Sequence, residues 1–350
     1  MTFVICLALL FLQGQTTQQL FESAAQALQS SRLAEAEDGF REVLKREPNN
    51  LGALGNLGVL YSRGNRPALA VETYQRALRI APQEPGLLLN LGLAYLKLDD
   101  YAKAKPLFAK LSTPQARELF AICQLQTGEV GPAAATLEDL AKQVNPSPAV
   151  HHFLALAYVK LKNEPKAQQA LARLFEMLPA AQANYLEGRV WYDAALFDRA
   201  LAAFEKSGNA LEMGKTLISL RRPAEAGAKL RQALAENPND VEAQYFLGAL
   251  LVQENEPKPA LPLLAAVTAA RPDLWGTHYY LGKAQLQLGN AKAALPLLQQ
   301  AAQRAPTEAP VHYQLARALQ ALGRSAEAKQ SFGRVARLQA QSNNNSIMMK

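Results

Sequence analysis

An all-helical array of repeated helix hairpins is the fold class that this 350-residue chain predicts. Three observations carry it. A proline returns every 34 residues, at Pro48 and Pro82 and again at Pro238, Pro272 and Pro306, each twelve residues after an alanine. A fixed period of that size marks stacked copies of one supersecondary element, each packing only on its neighbours. Hydrophobic residues make up 49% of the chain but aromatic ones only 7%, so the apolar surface is mainly Ala and Leu, which favour helix over strand. Within residues 51–84, LGALGNLGVLYSRG and ALAVETYQRALRIAP flank a break at Asn65 to Pro67, and both carry helical periodicity.

Taken in order, the chain starts with an apolar run at residues 3–12, FVICLALLFL, followed by Gln13, Gly14 and a polar Gln/Thr stretch. Ten residues are too few to span a bilayer, which takes about 20. Residues 1–16 are therefore expected to be a signal peptide cut near Gly14, although no Lys or Arg precedes the run. Export to a periplasmic or secreted location follows, the alternative being membrane association through this segment. With Cys6 in the run, only Cys123 remains and no disulfide framework exists.

Ten repeats are expected to begin near Thr17, Leu51, Pro85, Pro114, Pro148, Ala181, Ser207, Val241, Trp275 and Ala309. Steps are 33 or 34 residues except those of 29 from Pro85 and 26 from Ala181, where the second helix is expected to stop early, at Leu111 and Lys206. These irregular steps divide the array into residues 17–113, 114–206 and 207 to the end. Pro67, Pro165, Pro223 and Pro257 open second helices, where a missing N–H costs nothing. Pro106, Pro262 and Pro296 fall further in, where proline kinks a helix beyond its first turn. The array is expected to run over residues 17–341, with residues 342–350 a disordered polar tail.

The chain resembles the tetratricopeptide repeat family. Its Leu-Gly pair appears as Leu57-Gly58, Leu91-Gly92, Leu247-Gly248 and Leu281-Gly282, with Gly188 and Gly214 after other residues and Ala24, Ala121, Ala155 and Ala316 in the remaining repeats. The alanine that opens the second helix is present ten times, as Ala36, Ala70, Ala104, Ala133, Ala167, Ala200, Ala226, Ala260, Ala294 and Ala328. Four residues later come large side chains, among them Phe40, Tyr74, Phe108, Leu171, Phe204, Leu298 and Phe332. Small residues let two helices cross closely while the bulky one fills the space beside the crossing. The repeat starting at Pro114 matches least well. The resemblance implies a right-handed superhelical solenoid of antiparallel helix hairpins and a role in binding proteins.

Chemistry has little to rest on. The net charge of +7 is scattered, with no basic run to mark a nucleic-acid surface. Gly52, Gly55 and Gly58 lack the strand and the Lys-Ser/Thr of a phosphate loop. His151, His278 and His312 share one place in their repeats, which argues for packing, and no Cys/His cluster has metal-ligand spacing. Cys123 reads as a small buried hydrophobe. No cofactor, metal, small-molecule substrate or catalytic residue is expected, and the chain does not read as an enzyme.

Function is therefore sought on the first helices, which in a solenoid of this family line the concave side. Their free positions give Phe21, Glu22, Asn56, Arg63, Asn90 and Lys97 near the N-terminus. Asn56 and Asn90 are equivalent, and asparagines there hold an extended peptide backbone in the resembling family; an amide both donates and accepts. Further on the set is aromatic and basic: Tyr185, Arg189, Lys215, Tyr245, Phe246, Tyr279, Tyr280, Lys283, Tyr313 and Arg317. Such residues dominate interface hot spots. The family's carboxylate clamp is not matched. The expected function is a scaffold whose groove binds an extended segment of a protein partner, with a mild preference for acidic ones. Alternatives are assembly through the array ends, with Phe332, Val335 and Leu338 as a contact face, and an adaptor subunit of an enzyme complex.

Overall fold

Residues 15–348 are described by the computed structural model, with side chains to Gln341. The segment expected to be a signal peptide lies outside this range except for Gln15 and Thr16. Twenty helices and no strand occur among the described residues. They form ten hairpins: α1 Thr17–Gln29 with α2 Leu33–Arg46, α3 Leu51–Arg63 with α4 Pro67–Ile80, α5 Pro85–Leu96 with α6 Tyr101–Phe108, α7 Pro114–Gln126 with α8 Val130–Ala141, and α9 Pro148–Lys160 with α10 Glu164–Met177. The remaining five are α11 Ala180–Asp193 with α12 Phe197–Ser207, α13 Ala210–Ser219 with α14 Pro223–Glu236, α15 Val241–Gln253 with α16 Pro257–Ala270, α17 Trp275–Gln287 with α18 Ala291–Arg304, and α19 Ala309–Ala321 with α20 Ser325–Met348. None is long and apolar enough to cross a membrane.

Every hairpin turns in the same way. One residue adopts left-handed backbone in each: Ser31, Asn65, Asp99, Gly128, Lys162, Ala195, Arg221, Asn255, Gly289 and Gly323. The residue after it donates its N–H to a carbonyl five residues back, as Arg66 does to Tyr61 at 2.8 Å and Glu256 to Leu251 at 2.8 Å. This Schellman closure satisfies carbonyls that the end of the first helix would leave unpaired. The turns repeat at the predicted steps, including the short ones from Asp99 to Gly128 and from Ala195 to Arg221. Five residues past each turn stands the conserved-in-register alanine, and all ten are buried, nine of them at 0% exposure.

The close crossing is visible atom by atom. A Cβ added to Gly282 would stand 2.5 Å from Leu298, one on Gly214 2.7 Å from Leu230, and one on Gly248 2.7 Å from Leu264. Each pair lies 16 residues apart, so the small residue of a first helix receives the bulky residue of its own second helix. In the first hairpin Ala24 stands where glycine would, and the second helix gives way: Gly39 faces it, a Cβ there falling 2.7 Å from that of Ala24.

Four expectations need correction. The seventh repeat's first helix starts at Ala210, because Ser207 ends α12 and left-handed Gly208 caps it. Helix α20 continues to Met348, so residues 342–348 are helical backbone where a disordered tail was expected. Val335 and Leu338 are buried, Val335 at 8% exposure, and so are not a free contact face at the array's end. The chain divides into two compact units, up to Leu178 and from Pro179, rather than three. Pro179 stands twelve residues after Ala167, the place of the signature prolines.

Candidate functional site

The predicted surface residues fall into both units. In the first unit, the Asn56 amide donates to the Gly52 carbonyl of its own helix at 3.0 Å, and Asn90 is half-buried. Phe21 packs edge-on against Phe40, centroids 5.8 Å apart. The two cations are spent on the backbone of the preceding first helix: Lys97 Nζ donates to Ser62 O at 2.7 Å and Arg63 Nη1 to Leu28 O at 3.5 Å. Gln287 does the same in the second unit, to Val252 O at 2.8 Å. All three bonds span 35 residues and bring a donor to the carbonyl-rich, negative end of a helix.

In the second unit a continuous strip runs across α11, α13, α15 and α17. Arg189 and Lys215 each follow the small residue of their helix, and Glu212 lies between them. Lys215 Nζ is 3.0 Å from Glu212 and 2.7 Å from Glu242, while Arg189 is 3.9 Å from Glu212 and 3.5 Å from Asp193. Burial works against the charge on Lys215, but its bonds to Glu242 and Glu212 outweigh burial and raise its pKa. The same balance, with Asp193 leading the carboxylates, raises that of Arg189. Sequence reading missed Glu212 and Glu242; Glu212 occupies the register place that holds Phe246 and Tyr280 in later repeats, and no composition signal separates it.

The aromatic section begins where Lys215 lies over the Phe246 ring, 5.6 Å from its centroid. Phe246 meets Tyr245 at 5.5 Å, Tyr245 meets Tyr280 at 5.9 Å, and Tyr280 meets Tyr279 at 4.9 Å, all edge to face, the geometry aromatic quadrupoles favour. Trp275, not singled out from sequence, extends the run to Tyr279 at 6.3 Å. Gln253 donates to the Tyr280 hydroxyl at 3.3 Å. Tyr245 is wedged in place: its hydroxyl lies on Gly276 so closely that a Cβ there would overlap it. Burial, helped by Tyr280, pushes the Tyr245 phenol up to about 12, so it stays protonated.

Beyond the aromatics stand Lys283 and Arg317. Neither makes an ion pair among the described residues; Arg317 reaches only the Gln314 amide oxygen, at 3.5 Å. Burial and the nearby Arg317 together lower the Lys283 pKa. Tyr313 is the most open of the aromatics, 46% exposed, and rests on Phe332 at 6.0 Å. Tyr185 lies against Phe204 of its own hairpin at 6.1 Å.

The histidines pack as their shared register predicts, with His278 bonded to Leu274 O at 3.3 Å and His312 to Pro306 O at 2.9 Å. His151 is the exception, because its buried Nδ1 has no partner. Cys123 is buried, and burial raises its thiol to about 11, with Lys105 opposing; it is unreactive at neutral pH.

Sequence models described as "Tetratricopeptide repeat" match residues 21–85, 85–112, 217–286 and 285–344. The unmatched stretch contains the repeat starting at Pro114. No curated protein matches the chain. Among solved structures, "MamA RS-1 ArsTM double mutant" aligns at 23% identity over 48% of this chain and 99% of its own, TM-score 0.44. "MamA 41-end from Desulfovibrio magneticus RS-1" aligns at 24% over 47% and 98%, TM-score 0.43. At that level the likeness says nothing of function. The matched repeats cover more than half of the residues, and the turns, alanines and glycine contacts recur through all ten hairpins: the chain belongs to the tetratricopeptide repeat family.

Proposed function

We propose that this protein is a non-catalytic scaffold that binds an extended, acidic segment of a partner protein along the first-helix strip of its second unit. Membership of the family supports a protein-interaction scaffold in general. The observation that carries the finer reading is the edge-to-face run from Phe246 to Trp275 on α15 and α17, with Lys283 on α17 and Arg317 on α19 as two cations that no carboxylate among the described residues neutralises. Rigid aromatics supply apolar contact at small entropic cost, and an incoming carboxylate would gain charge-assisted hydrogen bonds. Arg189 and Lys215 take no part in this reading, since the chain's own carboxylates hold them.

Selection of peptides from a displayed library by the full-length protein tests the proposal. Enrichment of Asp- and Glu-containing segments is expected, lost in the Lys283→Glu, Arg317→Glu double variant with melting unchanged, and weakened in Tyr279→Ala, Tyr280→Ala. Absence of enrichment, or enrichment that survives charge reversal, overturns it. The proposal includes export, on the strength of the apolar run at residues 3–12. Cell fractionation and N-terminal sequencing check it: a mature chain starting near Gln15 outside the cytoplasm is expected.

A further inference from the structure

A cleft lies between the second helices of neighbouring hairpins in the first unit, walled by α8 and α10 and floored by α9. Its volume is ≈ 370 Å³, within the range of small-molecule sites. The floor is His151, Leu154 and Tyr158, and the walls carry Lys142, Lys166 and Arg173. The one carboxylate lining it, Glu138, is already taken: it accepts from the Tyr158 hydroxyl and from Lys166 at 2.8 Å. Lys142 makes no ion pair among the described residues, and Arg173 gives Nη1 to Glu176 at 2.6 Å, leaving other guanidinium donors.

The same cleft recurs in the first unit between α2, α3 and α4, and the comparison shows what is special. There Arg41, Lys45, Leu57, Tyr61 and Arg76 stand at the places of Glu138, Lys142, Leu154, Tyr158 and Arg173. The place of His151 is Leu54, which is fully buried, and the place of Gln169 is Glu72. Cleft geometry thus comes with the repeat, while a polar floor comes only with His151. That imidazole is 7% exposed, and its Nδ1 lacks any hydrogen-bond partner. A buried polar atom left unpaired in a native structure calls for a reason. An oxyanion is the ligand that Lys142, Arg173 and the imidazole would all satisfy, and the apolar floor of Leu154 and the Tyr158 ring suits an organic body attached to it.

We infer that the α8–α9–α10 cleft binds a small organic phosphate, with Lys142 and Arg173 holding its oxygens over the His151 ring. Empty, His151 is held neutral by burial and by Arg173, with Glu176 opposing. Glu138 and Lys142 on α8 and Lys166 on α10 also face the cleft. A phosphate dianion beside the ring reverses that balance, so binding raises the His151 pKa and draws a proton to the ring.

The test uses phenyl phosphate and inorganic phosphate on the full-length protein, followed by calorimetry and by NMR titration of the His151 ring. Phenyl phosphate is expected to bind more tightly than inorganic phosphate and to raise the His151 pKa. Lys142→Gln and Arg173→Gln should each weaken it about tenfold, the scale of one charge-assisted hydrogen bond, without lowering the melting temperature. Arg76→Gln in the equivalent cleft should leave binding unchanged. His151→Leu, which installs the residue of the other cleft and so suits the fold, should remove the ring's share of the proton uptake, which calorimetry in buffers of different ionisation enthalpy reads. An unshifted His151 at saturating probe, or equal weakening by Arg76→Gln, overturns the inference; tighter binding of inorganic phosphate removes the organic body from it.

Discussion

Lys215 and Lys283 occupy the same place in two repeats of the second unit, each directly after a glycine that receives a leucine of its own hairpin, yet their electrostatics are opposite. Lys215 is held by Glu212 and Glu242 and its pKa is raised; Lys283 meets only burial and Arg317 and its pKa is lowered. Backbone and packing are shared, so the difference resides in two places: two residues before the glycine stands Glu212 beside Lys215 but Tyr280 beside Lys283, and at the start of the next first helix stands Glu242 in one case and Pro310 in the other. Register decides where a side chain points, and two residues of context decide whether it is structural or available.

The largest expected effect comes from removing the satisfied cation. Lys215→Met leaves Glu212, whose side chain is 6% exposed, with only Arg189 at 3.9 Å, and should cost about 3 kcal/mol, the scale of breaking a buried pair from one side; urea denaturation at neutral pH reads it. A loss as small as that of a surface residue would mean the pair is not buried in solution. Next, Ala294→Leu should cost about 1–3 kcal/mol by overpacking, since Ala294 is fully buried beneath the helix of Lys283. Tolerance would show that the Lys283 end is looser than the Lys215 end.

The two lysines should also leave opposite marks on stability as pH rises. The contribution of Lys215 is complete below its unfolded pKa near 10.5 and is lost as pH climbs through its raised folded value. Lys283 carries a cost below its lowered folded value, relieved as pH climbs from there towards 10.5. Subtracting the alkaline stability profile of each methionine variant from that of the parent isolates the two slopes, and slopes of equal sign would break the comparison. Smallest of all, Lys283→Met should stabilise the fold at neutral pH by about 0.5 kcal/mol, by removing a half-buried uncompensated charge, while acidic peptide capture falls.

The fold was legible because its constraints are steric and therefore periodic. Only a small residue fits where two helices cross, so the ten alanines and the glycine places had to recur, and the left-handed turns repeat even the two irregular steps. Where the rule is met from the other side, as Gly39 does for Ala24, the pattern in one helix looks broken though the contact is kept. The aromatic run was legible for the same reason. What escaped was pairing: Arg63 and Lys97 read as free groove residues, but backbone carbonyls 35 residues away hold them, and a carbonyl leaves no trace in a sequence. Arg189 and Lys215 escaped only in part: Glu212 reaches Arg189 and Glu242 reaches Lys215 from the next repeat, but Asp193 and Glu212 stand at helical spacing on the cations' own helices and could have been read. His151 sat in a register that predicts packing, and only atomic surroundings separate it from His278.

The bonds from Lys97 to Ser62, Arg63 to Leu28 and Gln287 to Val252 have a consequence for how the protein comes apart. Each ties the end of one first helix to the next, so a hairpin cannot fray without releasing its neighbour's last turn. Amide protons in the closing turns of α1, α3 and α15 should therefore exchange with solvent together with the hairpin that follows. Loss of order would spread along the chain in blocks of two rather than one hairpin at a time.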